Sequence, residues 1–335
     1  MHAACPRPCR PRPARAVVPE PPATTASTAA AIIAAGKGPL RWSQEGLAWP
    51  NRSASRFVDA GGVRWHLQRL GAADAPVCIL LLHGTGASTH SWRDLAPRVA
   101  SGQVAVIAPD LPGHGFSETR DREAFSLPGM AQALATMLRT IEASPTLVCG
   151  HSAGAALGAR LCLDGGARPR TLVAINGAWL PFGGLAGRLF SPAARLLAAS
   201  GIAAPLIARR AADPALAHRL LAGTGSRIDH DGAAFYARLM RSPEHVAGAL
   251  AMMAAWDLAP LLREMPRLAP RLLLLAGAAD TTVPAAQSAR IAAQVAGARL
   301  DILPALGHLA HEEAPERFAS CLLAAVAEDA AMHRG

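Results

Sequence analysis

A serine hydroxyl attacks carbonyl carbon at neutral pH only when a base lies within hydrogen-bond reach and a carboxylate orients that base. Ser152 stands in a setting suited to that chemistry, in Gly150-His151-Ser152-Ala153-Gly154, after the apolar run Thr146–Cys149 and before an alanine-rich stretch. The order reads as strand, sharp turn, helix. Gly150 and Gly154 let strand and helix crowd together, and the turn holds Ser152 in a strained conformation with its hydroxyl exposed. The alternative is a glycine-rich turn with no chemistry. Twelve histidines compete for the role of base, so the choice depends on the elements that position them.

Continuous apolar runs at Val77–Leu82, Val104–Ala108, Thr171–Ile175 and Leu272–Ala276 carry the pattern of strands buried on both faces of a parallel sheet, and Leu300–Leu303 is the last of the series. Ser55–Val58 and Val63–Gln68 alternate apolar with polar around Asp59-Ala60-Gly61-Gly62, which predicts a β-hairpin. Helical patterns cover about Leu127 to Ile141, the stretch after Ser152, and Phe318 to Ala327. This alternation predicts an α/β fold with a doubly wound, mostly parallel sheet. Between Asn176 and Trp256 it lapses into helical patterns over a stretch too long for an ordinary connection, which predicts an inserted helical cap. The expected organisation is a leader at 1–40, core at 41–176, cap at 177–256 and core again at 257–335. The leader, rich in Pro, Ala, Arg and Thr, has no period that would bury a face and is expected to be disordered by composition. Its basic start imitates a signal peptide only weakly, because Thr24 to Ala35 is mostly Ala and Thr.

Composition narrows the function classes. Aromatic residues make up 4% of the 335, which argues against an all-β fold. The net charge of +9 owes much to Arg7, Arg10, Arg12 and Arg15 in the leader, and the other arginines form no stripe or aromatic-interleaved patch, so no nucleic acid partner is expected. Cys78, Cys149, Cys162 and Cys321 sit in apolar or amphipathic runs and read as small core residues. Cys5 and Cys9 lack the partners of a zinc site or a disulfide framework. A reducing, cytoplasmic setting fits, and no apolar run is long enough to span a membrane. No cofactor and no metal site is expected, since no carboxylate cluster of the octahedral oxygen kind is visible.

Leu81–Ser88 (Leu-Leu-His-Gly-Thr-Gly-Ala-Ser), Pro109–Gly115 (Pro-Asp-Leu-Pro-Gly-His-Gly) and Gly150–Gly154 make the chain similar to the α/β-hydrolase superfamily from about Ser55 to Ala327. The order in that fold is nucleophile, acid, histidine. Asp280 follows the strand Leu272–Ala276 and His308 follows the last strand, so Ser152, Asp280 and His308 form the candidate triad. Asp280 could instead cap the helix beginning near Pro284, Asp257 is the reserve acid and His311 is the alternative base. The backbone N–H groups of Thr85 and Ala153 are the expected oxyanion donors. His83 is expected to bond its own loop backbone, and Gly113-His114-Gly115 reads as a turn rather than a phosphate loop. Trp179, Phe182, Met252, Met253 and Trp256 place large apolar groups in the cap. They read as ordinary packing singly and as the lining for a bulky, flat ligand together.

Trp49-Pro50-Asn51-Arg52, Thr89–Leu95, Thr224-Gly225-Ser226 and His245–Met253 resemble, more narrowly, the family of magnesium chelatase accessory proteins of bacteriochlorophyll synthesis. That resemblance implies a cytoplasmic protein of a photosynthetic bacterium acting near magnesium insertion into protoporphyrin, with a porphyrin as candidate small-molecule ligand and magnesium chelatase as candidate partner. It does not state a reaction. A serine hydrolase with a working triad, a porphyrin-binding module on a hydrolase scaffold, and a carboxylesterase of unrelated substrate remain open.

Overall fold

The computed structural model describes residues 36, 38–180, 201–211 and 213–332. Among the described residues nine strands form one sheet: β1 (Ser55–Ala60), β2 (Val63–Leu70), β3 (Val77–Leu82), β4 (Val104–Pro109), β5 (Glu118–Thr119), β6 (Leu147–His151), β7 (Thr171–Ile175), β8 (Arg271–Gly277) and β9 (Arg299–Leu303). Their spatial order is β1-β2-β4-β3-β6-β7-β8-β9, with the short β5 pairing to β2. From β4 to β9 every neighbouring pair is parallel, and the β1–β2 hairpin and the β2–β4 pair are antiparallel. The hairpin turns at Gly61 and Gly62, both with positive φ (59° and 74°), as a tight two-residue connection requires.

The apolar runs are continuous because both faces of the sheet are covered. Leu80 and Leu82 face a cluster that contains Met130, Leu134 and Met137 of α1 (Leu127–Thr140) and Ala155 and Leu157 of α2 (Ala153–Leu163). Ile79 and Leu81 face the opposite cluster, with Trp92 and Leu95. Burying one such side chain is worth roughly 1.5–3 kcal/mol. Ser126 caps α1, its Oγ accepting from the Gly129 N–H at 3.1 Å.

The segment expected to form a cap contains α3 (Ala203–Arg210), α4 (Pro214–Ala222), α5 (His230–Met240) and α6 (Pro243–Ala255), which come between β7 and β8. Helix α7 (Ala285–Ala292) follows β8, and α8 (Pro315–Met332) ends the described chain and sets Phe318 and Leu322 into the second cluster. Phe182 and nearly all of the leader lie outside the described residues. At the described end of the leader, the Gly38 and Pro39 carbonyls each accept from the Arg238 guanidinium at 3.1 Å. Among the described residues no single helix is long and apolar enough to cross a membrane.

Chain order turns at β3: β4 lies on one side of it and β6 on the other. The loops after β3 and β6 therefore diverge at the carboxyl end of the sheet, where an open α/β sheet leaves its crevice.

Candidate active site

Ser152 occupies the tip between β6 and α2 with φ 52° and ψ −118°, a left-handed conformation that costs a non-glycine residue of order 1–3 kcal/mol. The flanking glycines allow it. A Cβ on Gly150 would lie 2.3 Å from the Gly154 carbonyl oxygen, and one on Gly154 would lie 2.1 Å from that of Leu82 in β3. The Ser152 N–H donates to the Ile175 carbonyl at 2.9 Å, which fixes the turn to β7.

The Ser152 Oγ lies 3.1 Å from His308 Nε2, and His308 Nδ1 lies 2.7 Å from Asp280 Oδ2. A carboxylate only accepts, so Nδ1 carries the proton and Nε2 faces the serine with a lone pair. Asp280 Oδ1 accepts from the Thr282 and Val283 N–H groups, both at 2.8 Å, which fixes the plane of the carboxylate. All three residues are buried. The reserve acid Asp257 is elsewhere: its Oδ1 accepts from the Ala259 N–H at 2.9 Å, at the start of the short helix Ala259–Glu264. His311, the alternative base, is fully buried with its ring 4.5 Å from those of His151 and Trp92, and neither of its nitrogens has a described partner. Burial pushes its imidazole down to about 3, with the charges of His308 and Arg93 adding to the effect.

Thr85 and Ala153 flank the serine. Gly84 packs so closely that a Cβ there would lie 3.0 Å from the Cβ of Ser152, and Ala153 begins α2, whose first N–H groups have no helical acceptor. The loop bearing Thr85 is held from behind. His83 Nδ1 donates to the Gly84 carbonyl at 2.8 Å, and His83 Nε2 accepts from the Leu111 N–H at 2.9 Å, the loop-bonding role expected for it. Asp110 accepts from the Thr89 N–H (2.6 Å), the Phe116 N–H (2.9 Å) and His66 Nδ1 (2.8 Å). Burial alone would raise the Asp110 carboxyl, but the His66 ring and the other donors outweigh it and hold it at about 2. Gly113 and Gly115 have φ of 72° and 52°, so Gly113-His114-Gly115 is a turn.

Three further groups hold the His308 loop, and of these only Thr224-Gly225-Ser226 figured in the sequence, as part of a family resemblance rather than for its contacts. Asn176, at φ 48° just past β7, donates from Nδ2 to the Gly307 and His308 carbonyls (2.9 and 2.8 Å) and accepts at Oδ1 from the Gly277 N–H (2.7 Å). His151 Nε2 donates to the His308 carbonyl at 2.9 Å, and burial holds its ring neutral, well below the usual histidine range. The cap tripeptide Thr224-Gly225-Ser226 wedges between the acid and histidine loops. The Thr224 carbonyl accepts from the His308 N–H at 3.2 Å, Ser226 Oγ accepts from the Leu309 N–H at 2.8 Å, and a Cβ on Gly225 would lie 2.0 Å from the Ala279 carbonyl oxygen. Asn176 as the residue ending an apolar strand, and Gly225 between two hydroxyl residues, were the available hints.

Of the expected ligand-lining group, Trp179 and Met252 are fully buried in the main core cluster, and Met253 and Trp256 are half-buried. Large apolar side chains at the base of a cap fill the gap between cap and sheet, which is their cheapest burial. Met252 still touches the site, its Sδ 3.7 Å from Thr85 Oγ1.

Residues 79–320 match the alpha/beta hydrolase family, and the chain belongs to it. Within that class it is 43% identical over 275 residues to the magnesium-chelatase 30 kDa subunit of Rhodobacter capsulatus, covering 82% of this chain and 95% of that protein. It is 26% identical to a 2-hydroxy-6-oxo-6-phenylhexa-2,4-dienoate hydrolase of Burkholderia cepacia, over 76% of this chain and 88% of that one. Its fold matches the crystal structure of an alpha/beta hydrolase fold protein from Burkholderia ambifaria with a TM-score of 0.66 at 24% identity, over 81% and 97% of the two chains.

Proposed function

We propose that this chain is a serine hydrolase that cleaves an ester or related carbonyl bond, and that it serves a magnesium-chelatase system in the cytoplasm of a bacteriochlorophyll-making bacterium. The observation that carries the first half is the unbroken chain Ser152 Oγ, His308 Nε2, His308 Nδ1, Asp280 Oδ2 at 3.1 and 2.7 Å, with Ser152 strained at φ 52°. The second half rests on the likeness to the 30 kDa subunit over nearly its whole length.

In this reading Ser152 Oγ attacks the carbonyl carbon as His308 Nε2 takes its proton. Asp280 keeps His308 in the correct tautomer and stabilises the imidazolium that forms. The carbonyl oxygen becomes an oxyanion facing the N–H groups of Thr85 and Ala153, and loss of one such donor costs about 3 kcal/mol. His308 then returns the proton to the departing alcohol or amine, and water, deprotonated by His308, releases the acyl group from Ser152.

A fluorophosphonate probe tests this reading: wild type should be labelled and Ser152→Ala should not. Equal labelling of both, or of neither, favours a second reading that the subunit name in the relative supports, a porphyrin-binding module that assists the chelatase without turnover.

A further inference from the structure

A groove of about 1090 Å3 opens away from the triad, between α6, the loop 113–117 and the segment leading into β1, and neither Ser152, Asp280 nor His308 lines it. One wall is a helix face of mostly small residues. Ala247, Gly248, Ala251 and Ala254 recur along α6 at helical spacing and carry nothing larger than a methyl group, with Glu244 and His245 of the same helix nearer its amino-terminal end. Aromatic edges face it: Trp42 stands edge-on to Phe57 and Phe116, with centroids 5.6 and 5.1 Å apart, and Phe125 closes the side near Gly113.

The rim is cationic. Arg64 lies 4.6 Å over the Phe57 ring and 3.5 Å from Glu118. Arg41 and Arg122 also line the groove, and among the described residues neither guanidinium has an ion-pair partner. The remaining acid, Glu244, accepts from Ser242 Oγ at 3.2 Å. A wall of mostly small residues opposite aromatic rings suits a planar apolar body, and guanidinium groups at the rim suit carboxylates.

We propose that this groove binds a flat, largely apolar ring system bearing carboxylates, with the ring between the α6 methyl groups and the aromatic edges and the carboxylates on Arg41 and Arg122. The identity of the ring as a tetrapyrrole rests on the function proposed above; the location and chemical class do not. The site is also linked to the hydrolase loops. His245 lines the groove, accepts at Nδ1 from the Gly115 N–H (3.0 Å) and donates from Nε2 to the Gly86 carbonyl (3.1 Å), so a guest bears on the helix that braces the loop of Thr85.

The experiment titrates the full chain with protoporphyrin IX and, separately, with pyrenebutyrate, following each probe's emission and the quenching of tryptophan. Both should saturate on wild type, and Ser152→Ala should bind as wild type does. Ala251→Phe, which fills the groove, should weaken both by about tenfold or more, and so should Arg122→Glu, an exposed change that leaves the core intact. Saturable, groove-dependent binding of pyrenebutyrate without any of protoporphyrin would uphold the site and remove the tetrapyrrole reading. Failure of both probes to bind wild type would overturn the proposal. Wild-type affinity in both groove variants, with loss in Met253→Ala and Trp256→Ala, would overturn it too and place the ring over the triad.

Discussion

His151 Nε2 donates to the carbonyl oxygen of His308 at 2.9 Å, so the residue just before Ser152 holds the backbone of the proposed base. Asn176 Nδ2 bonds the same oxygen at 2.8 Å. His308 is thus aimed from two neighbouring strand ends, and its aim can be changed without touching its ring.

Removing that support should lower turnover more than binding. His151→Leu is expected to reduce kcat by about 10- to 100-fold with KM nearly unchanged, and His151→Gln, which keeps an N–H donor, should recover most of the loss. Steady-state kinetics on a model ester would show it. Equal defects in both variants would mean that packing, not the hydrogen bond, matters.

Base and acid separate cleanly by substitution. His308→Gln should abolish esterase activity and Asp280→Asn should lower kcat by about 10⁴, because the amide favours the wrong tautomer. Asp257→Asn should have no such effect, since Asp257 Oδ1 accepts from the Ala259 N–H instead. Activity that survives in His308→Gln but is lost in His311→Leu would move the base.

Stability should fall in mild acid. Burial holds His245 at about 4, His311 at about 3 and His90, His114 and His151 well below 6.5 in the folded state. Below about 6.5 the unfolded chain binds protons that the native chain refuses, so stability present at neutral pH is lost as the pH drops from 6.5 towards 3. Asp110, held at about 2, acts in the same direction below its ordinary 3.8. The unfolding free energy from urea titrations should decrease between pH 7 and 4.5 by at least about 3 kcal/mol, and the dependence should be shallower in His311→Phe. A midpoint independent of pH would contradict the buried, neutral assignment.

Gly225 sets the docking of the cap on the triad loops. With φ 77° and the Ala279 carbonyl oxygen 2.0 Å from any added Cβ, Gly225→Ala should destabilise by about 2 kcal/mol or more and disturb the Asp280 and His308 loops together. Thermal melting and fluorophosphonate labelling would report both losses; a variant that labels and melts like wild type would refute the wedge.

The end of the leader should matter where Arg238 reaches it. A chain beginning at Arg41 lacks the Gly38 and Pro39 carbonyls that the buried Arg238 guanidinium bonds alongside Glu45, and it should lose about 1–3 kcal/mol relative to one beginning at Gly36. Composition suggested that the boundary falls near residue 40, but a polar carbonyl facing a buried cation leaves no mark on hydropathy.

The strands were legible because parallel strands covered on both faces write themselves as unbroken apolar runs: Val77–Leu82 and Thr171–Ile175 are bounded as expected, and the others differ by one or two residues at an end. The order of Ser152, Asp280 and His308 was legible because each follows a strand. Asn176, His151 and Gly225 were not, because their contacts join loops whose nearness depends on β6, β7 and β8 lying side by side. Trp179 and Met252 looked like ligand contacts for the opposite reason: hydrophobicity reports burial without saying whether the partner is protein or guest. The groove on α6 is made of alanines and glycine, which announce nothing in a sequence already rich in both.

The cap's place in the chain also governs how the protein is born. β7 ends at Ile175 and its neighbour β8 begins at Arg271, so the ribosome must make the whole cap between the two partners of one ladder. At about 5–20 residues per second that leaves the parallel edge of β7 open for roughly 5–20 s. During that interval the nascent sheet is complete only from β1 to β7, carries Ser152 without its acid or base, and offers an apolar edge to any other unfinished chain. Slowing elongation within the cap would prolong that exposure, and a chaperone that shields β7 would act before the hydrolase site exists.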